Sequence, residues 1–151
     1  MSTRCQIGIY KSKNQKVTEP NVLLYRHCDG YPGTVDGKEY GVLTDIFPFL
    51  QKFNKNRGID DIEYCGAWLM WHLVSIHVER MKNLRKEWDS NCLPEDGQDF
   101  LGHGICKIFH PDIEYFYHIS PSGIKVYSAH LPWDGPEIEE RHFKLVESIS
   151  F

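Results

Sequence analysis

The stretch from Cys65 to Val78 constrains this chain most. It reads CGAWLMWHLVSIHV, so at helical spacing apolar side chains fall on nearly every face of the turn. Asp60 or Asp61 offers a capping carboxylate just before it, and the helix is predicted to run to about Lys86. A helix of this kind is buried on more than one side. It is therefore expected at the centre of the core, with Trp68, Leu69, Leu73 and Ile76 inside. His72, Ser75 and His77 break the stretch, and it is too short to span a membrane.

The remaining segments supply what such a helix packs against. Residues 4–11 alternate, with Cys5, Ile7 and Ile9 on one side, and read as a first strand. Residues 22–27 read as its hairpin partner. Asp29-Gly30, Pro32-Gly33 and Asp36-Gly37 then mark tight turns. Residues 42–57 carry Leu43, Phe47, Leu50 and Phe53 at helical spacing. Pro48 predicts either a helix start near Phe47 or a kinked earlier turn, and Gly58 a stop. A polar connection is expected over 88–102. Strands follow over 103–109, 113–119 and 124–130, with 141–147 available for a last one. The order ββ-αα-βββ(β) predicts an α+β fold: an antiparallel β-sheet with two inserted helices packed on one face. The length suits a single domain over 1–151.

Charge and cysteine usage narrow the function classes. The net charge is −4 with no basic face in evidence, which argues against binding duplex nucleic acid. The basic cluster Arg80–Lys82–Arg85–Lys86 reads as a solvated helix end that suits the helix dipole. The five cysteines, Cys5, Cys28, Cys65, Cys92 and Cys106, are widely scattered without a C-x-x-C pair. That argues against a zinc knuckle and for reduced thiols in a cytoplasm. No metal and no cofactor is expected, and no membrane segment. Aromatic residues make up 13% of the chain, enough to leave some outside one small core. Tyr and Trp are enriched at interfaces, so a homo-oligomer is expected.

Familiar catalytic motifs are absent. His27-x-Asp29 and His110-x-Asp112 pair an imidazole with a carboxylate, as a divalent metal site or a base with its orienter requires. Both pairs fall where a strand enters a turn, and there Asp ordinarily caps its own backbone. The run Tyr25-Arg26-His27-Cys28-Asp29-Gly30-Tyr31-Pro32 is denser in recognition chemistry. Arg26 offers a planar fork for phosphate, Tyr31 a stacking ring, and Asp29 an acceptor for an amide, ribose or ring N–H. Arg4, on the neighbouring strand, is placed to reinforce the positive charge. On a strand Arg26 points away from the side taken by Tyr25 and His27. The expected ligand-binding set is therefore Arg4, Arg26, Asp29 and Tyr31, for an anionic, ring-containing molecule.

Four stretches carry a resemblance: Ser2-Thr3-Arg4-Cys5-x-Ile7, the Tyr25 to Pro32 run, Gly66-Ala67-Trp68, and Asp112-Ile113-Glu114-Tyr115-x-Tyr117-x-Ile119. They resemble a group of small phage and prophage proteins. Size and layout are similar to those of the Thoeris anti-defence proteins of phages. Those proteins act as oligomeric sponges that bind cyclic ADP-ribose-type signals, and in some cases cyclic oligonucleotides, without cleaving them. The resemblance implies a non-enzymatic protein in the cytoplasm of a bacterial host that sequesters a nucleotide-derived signal. Two other functions fit the residues: an inhibitor that binds a host defence protein directly, and a small metal-dependent hydrolase built on the His-x-Asp pairs.

Overall fold

One strand is buried on both faces, and the fold is organised by what covers it. In the computed structural model, which describes residues 2–87, 102–134 and 137–151, every residue of β1 (Cys5–Ile9) is buried. Cys5, Ile7 and Ile9 point to one face, Gln6 and Gly8 to the other. β1 pairs antiparallel with β2 (Val22–Arg26), setting Cys5 opposite Arg26. On its other side it pairs parallel with β4 (Tyr115–Ser120), setting Ile7 opposite Tyr117. β3 (His103–Ile105), β5 (Gly123–Ala129) and β6 (Phe143–Ser150) complete a sheet of order β3-β2-β1-β4-β5-β6. The fold is α+β, with the helices inserted between β2 and β3 and a last strand formed at the C-terminal end.

The sheet is antiparallel except at its centre. A wholly antiparallel sheet is the sequence-based expectation, and the difference has a topological cause. The chain leaves β3 at one edge, crosses the face of β2 and β1, and enters β4 in the direction of β1. The crossing also ends β3 early, at Ile105 rather than 109. From there the Cys106 N–H donates to Leu23 O at 2.8 Å. The fully buried Gln6 then holds the loop at both ends of its amide: Nε2 donates to Ile108 O at 3.0 Å, and Oε1 accepts the His110 N–H at 2.9 Å. Phe109, Phe116 and Phe143 pack ring to ring beside it, which makes this face a second small core.

The helices cover the first face. α1 (Val42–Asn56) and α2 (Ile62–Glu87) place Leu43, Ile46, Leu50, Leu69 and Leu73 against Ile7, Leu24, Tyr117 and Ile119. Pro48 lies within α1, on its exposed side, rather than at its start. Gly58, at φ 100, ends the helix as expected, and its N–H and that of Arg57 both donate to Phe53 O. Of the residues expected inside from α2, Leu69 and Leu73 are buried, but Ile76 is half-buried and Trp68 is 49% exposed. Sheet and α1 cover α2 on one side only. The polar connection expected over 88–102 lies, Gly102 apart, outside the described residues, as does Cys92.

Leu69→Ala removes a fully buried side chain at the helix–sheet interface. It should cost about 2–5 kcal/mol in urea melts. A loss under about half a kcal/mol, the range of surface substitutions, would show that α2 does not pack there.

Candidate functional site

A pinch between β2 and α1 builds the site. Gly33 has φ 63, and its backbone lies so close to Gly41 that a Cβ on Gly33 would fall 2.5 Å from the Gly41 nitrogen. Glycine is required at such a contact. Beside it the N–H groups of Val42 and Leu43 donate to Tyr31 O and Pro32 O, each at 2.9 Å. The chain thus returns to the end of β2, and Asp45, on the buried side of α1, meets Arg26.

The outcome is a buried ionic cluster drawn from the sheet, both helices and the connecting loop. Asp45 Oδ2 accepts from Arg26 Nη1 at 2.6 Å, and Oδ1 from Arg80 Nη2 at 2.6 Å. Arg80 Nη1 reaches Oδ2 at 3.2 Å. The Tyr40 hydroxyl donates to Asp45 Oδ2 at 3.0 Å, and accepts from Arg26 Nη2 at 3.0 Å and from Arg80 Nη1. Arg80 also lies over the Tyr40 ring, 4.3 Å from its centroid. Arg26 Nε donates to Cys28 O at 2.9 Å, so each nitrogen of this guanidinium is engaged. Two guanidinium charges face one carboxylate, and the cluster keeps a net positive charge.

Exposure separates the two arginines. The Arg26 and Asp45 side chains are only 5% and 2% exposed, whereas Arg80 is 41% exposed. Burial by itself would raise the Asp45 pKa, but hydrogen bonds from Arg80 and Arg26 outweigh it and hold the carboxyl below its ordinary value. Burial likewise opposes the Arg26 charge, and Tyr40 and Asp45 reverse that effect. Arg26 is therefore a structural cation, and Arg80 carries the charge outward.

Outward is a cleft of about 240 Å³ between α2, the turn at 28–29 and the start of β3. Arg26, Asp45, Arg80, His77 and His103 form its polar wall, and Leu73, Met81 and Leu84 its apolar wall. His103 sits opposite Arg26 in the β2–β3 register, and its ring meets that of His77 edge-on, 5.9 Å between centroids. Burial first, then the charge of Arg26 and the neighbouring His77, pushes the His103 pKa down to about 4.

The four residues expected to bind ligand are divided by the fold. Arg26 and Asp29 line this cleft, Asp29 at a left-handed φ of 55. Tyr31 is exposed and contributes its carbonyl to the pinch, without lining the cleft. Arg4 turns to the other face of the sheet and pairs with Asp112 at 2.8 Å, beside an open hollow of about 530 Å³ near Trp133. It does not reinforce Arg26. Of the His-x-Asp pairs, Asp112 is taken by Arg4, while His110 Nε2 lies 3.6 Å from Cys106 Sγ. Among the described residues no three His, Cys, Asp or Glu side chains gather as a metal requires.

Tyr40, Asp45, His77, Arg80 and His103 escaped sequence reasoning. Asp45 left one signal: it falls between Val42 and Ile46 on the core-facing side of an amphipathic helix, where a carboxylate needs a cation. Arg80 lies seven residues beyond Leu73 and three beyond His77, on the inward side of α2. It does not belong to a solvated helix end, although Lys82 and Lys86 do.

Asp45→Ala leaves the buried Arg26 uncompensated and should destabilise the fold by about 3–5 kcal/mol, measured by chemical denaturation. Retention of wild-type stability would mean that the cluster is not formed. A second expectation concerns pH. A histidine in the unfolded chain titrates near 6.5, well above His103 in the folded state. Between about pH 6.5 and 4 the unfolded chain takes up a proton that the folded chain refuses. The stability due to neutral His103 is complete above about pH 6.5 and is lost as the pH falls toward 4. The melting temperature should fall across that window, and less steeply in His103→Gln. Identical slopes would exclude this role.

Comparison with known proteins gives no match of any kind to this chain, whether to a family model, a curated protein or a solved structure.

Proposed function

We propose that the cleft beside Arg80 binds a phosphate-bearing small molecule, and that the protein sequesters a nucleotide-derived signal without converting it. The observation that carries this reading is the charge imbalance of the cluster: two guanidiniums on one buried carboxylate, at the wall of a cleft otherwise lined by histidines and apolar side chains. Arg80 is held by Asp45 and stacked on Tyr40 while remaining 41% exposed. An anion bound there loses little to ordering the arginine, and charge-assisted bonds from guanidinium to phosphate are directional and strong.

Proton transfer has less support at the same place. The Asp45 carboxylate is neutralised by two guanidiniums. His103, with a pKa of about 4, is a poor base near neutral pH. The cleft is also smaller than the roughly 300–1,000 Å³ of sites that enclose a whole ligand. It suits the phosphate and adjoining ring of a larger nucleotide, with Asp29 at the rim. The choice of a nucleotide-derived immune signal as ligand, cyclic ADP-ribose-like or a cyclic oligonucleotide, rests on the resemblance to phage and prophage proteins and to the Thoeris anti-defence proteins.

The test is retention. The protein is incubated with cyclic ADP-ribose-type and cyclic oligonucleotide signals, freed of unbound ligand, heated, and the released molecules weighed by mass spectrometry. Release of the intact signal is expected. An altered product would make the protein an enzyme, and release of nothing would remove the small-molecule reading. Arg80→Ala should retain at least tenfold less. Equal retention by that variant would place the site elsewhere. Arg80 is the residue to change, because Arg26→Ala would also strand Asp45 in the core.

A further inference from the structure

α2 is apolar on its outward side as well as its inward one. Tyr64, Trp68, Trp71 and Val74 are all exposed, Trp71 at 59%, and follow one another at spacings of three and four along the same face. Ala67 belongs to the stripe, and Ser75 does not interrupt it, since its hydroxyl donates to Trp71 O at 2.7 Å. Trp68 and Trp71 meet edge-on, 5.6 Å between centroids, so the two indoles form one block. Single exposed apolar residues need no explanation, but a contiguous aromatic stripe of this size marks an interaction surface.

We infer that this face is the dimer interface of the protein, and that its occupant is α2 of a second copy turned end for end. Charge along the helix selects that occupant. The start of α2 is acidic, with Asp60 and Glu63 exposed, and its end is basic, with Lys82 and Lys86 exposed. A two-fold axis near Trp71 sets the two Trp71 residues level with each other, Tyr64 level with Val78, and Asp60 level with Lys82 of the other copy. Each end of the helix thus meets its opposite charge, as a self-complementary interface demands. A parallel arrangement would set like charges together.

The area is adequate. Three aromatic side chains of about 150–250 Å² each, roughly half exposed, together with Val74 offer about 300–400 Å² per copy. Ala67, Val78 and the charged rim bring the pair of copies to the roughly 1,000 Å² that a specific interface needs. The nucleotide reading is not required for this interface, because the cleft lies on the inward side of the helix.

Sedimentation equilibrium on the full chain at high micromolar concentration tests the inference. The wild type should weigh twice the 17.7 kDa of one chain. Trp71→Asp, with unchanged circular dichroism, should weigh that of a single chain. Lys82→Asp should weaken association at least tenfold, and adding Asp60→Lys to it should restore association. A wild type that stays monomeric, or a Trp71→Asp variant that keeps the wild-type mass, would overturn the interface. Failure of the double charge reversal to restore association would overturn the end-for-end orientation. Should Trp71→Asp fail to fold, the charge-reversal series decides alone.

Discussion

The Asp45 carboxylate, bound between Arg26 and Arg80, is the contact on which the arrangement of layers depends. Arg26 ends a strand of the sheet, Asp45 lies near the start of the first helix, and Arg80 lies late in the second. One carboxylate therefore sets three elements with respect to each other, and Tyr40 adds the loop between two of them. Burying charges is costly, and a purely apolar contact of the same volume often matches or exceeds such a cluster in stability. What an ionic cluster supplies here is register. An apolar core tolerates sliding of a helix by a residue or a turn, whereas a two-oxygen acceptor shared by two planar donors has one good geometry.

Much of the architecture was legible in the chain. The alternation of Cys5, Ile7 and Ile9, the glycine-rich turns and Gly58 each stand where local chemistry placed them. The parts that were not legible depend on contacts distant in sequence. Nothing near Gln6 announces that its amide holds a loop more than a hundred residues away. The parallel pairing of β1 and β4 follows from the path of that same loop. On α2 the composition was read correctly, as apolar around the whole turn, but the monomer covers one side alone, which is why Trp68 stands outside.

The candidate site was legible in half. The run around Arg26 was rightly seen as dense in chemistry, and Arg26 and Asp29 do meet at one cleft. Proximity along a strand misled elsewhere. Arg4 precedes Cys5, and alternation sends it to the opposite face from Arg26, where Asp112 neutralises it. The residues that complete the cleft come from α2 and β3, and their polar character has no local cause. His103 and Arg80 reveal themselves only once the topology brings the edge strand alongside Arg26.

The parallel centre of the sheet bears on how the chain reaches this structure. Cys5 pairs with Tyr115 and Ile9 with Ile119, so the strand emerging first from the ribosome lacks one neighbour until the last third of the chain has appeared. Until then the β1–β2 hairpin and the helices form a partial layer with one open strand edge and an uncovered face at Gln6 and Tyr10. Pairings between such distant segments are slow to form because the loop must close before any contact rewards it. During synthesis the N-terminal half is thus exposed to edge-to-edge association, and folding of this protein is a race that the C-terminal hairpin has to win.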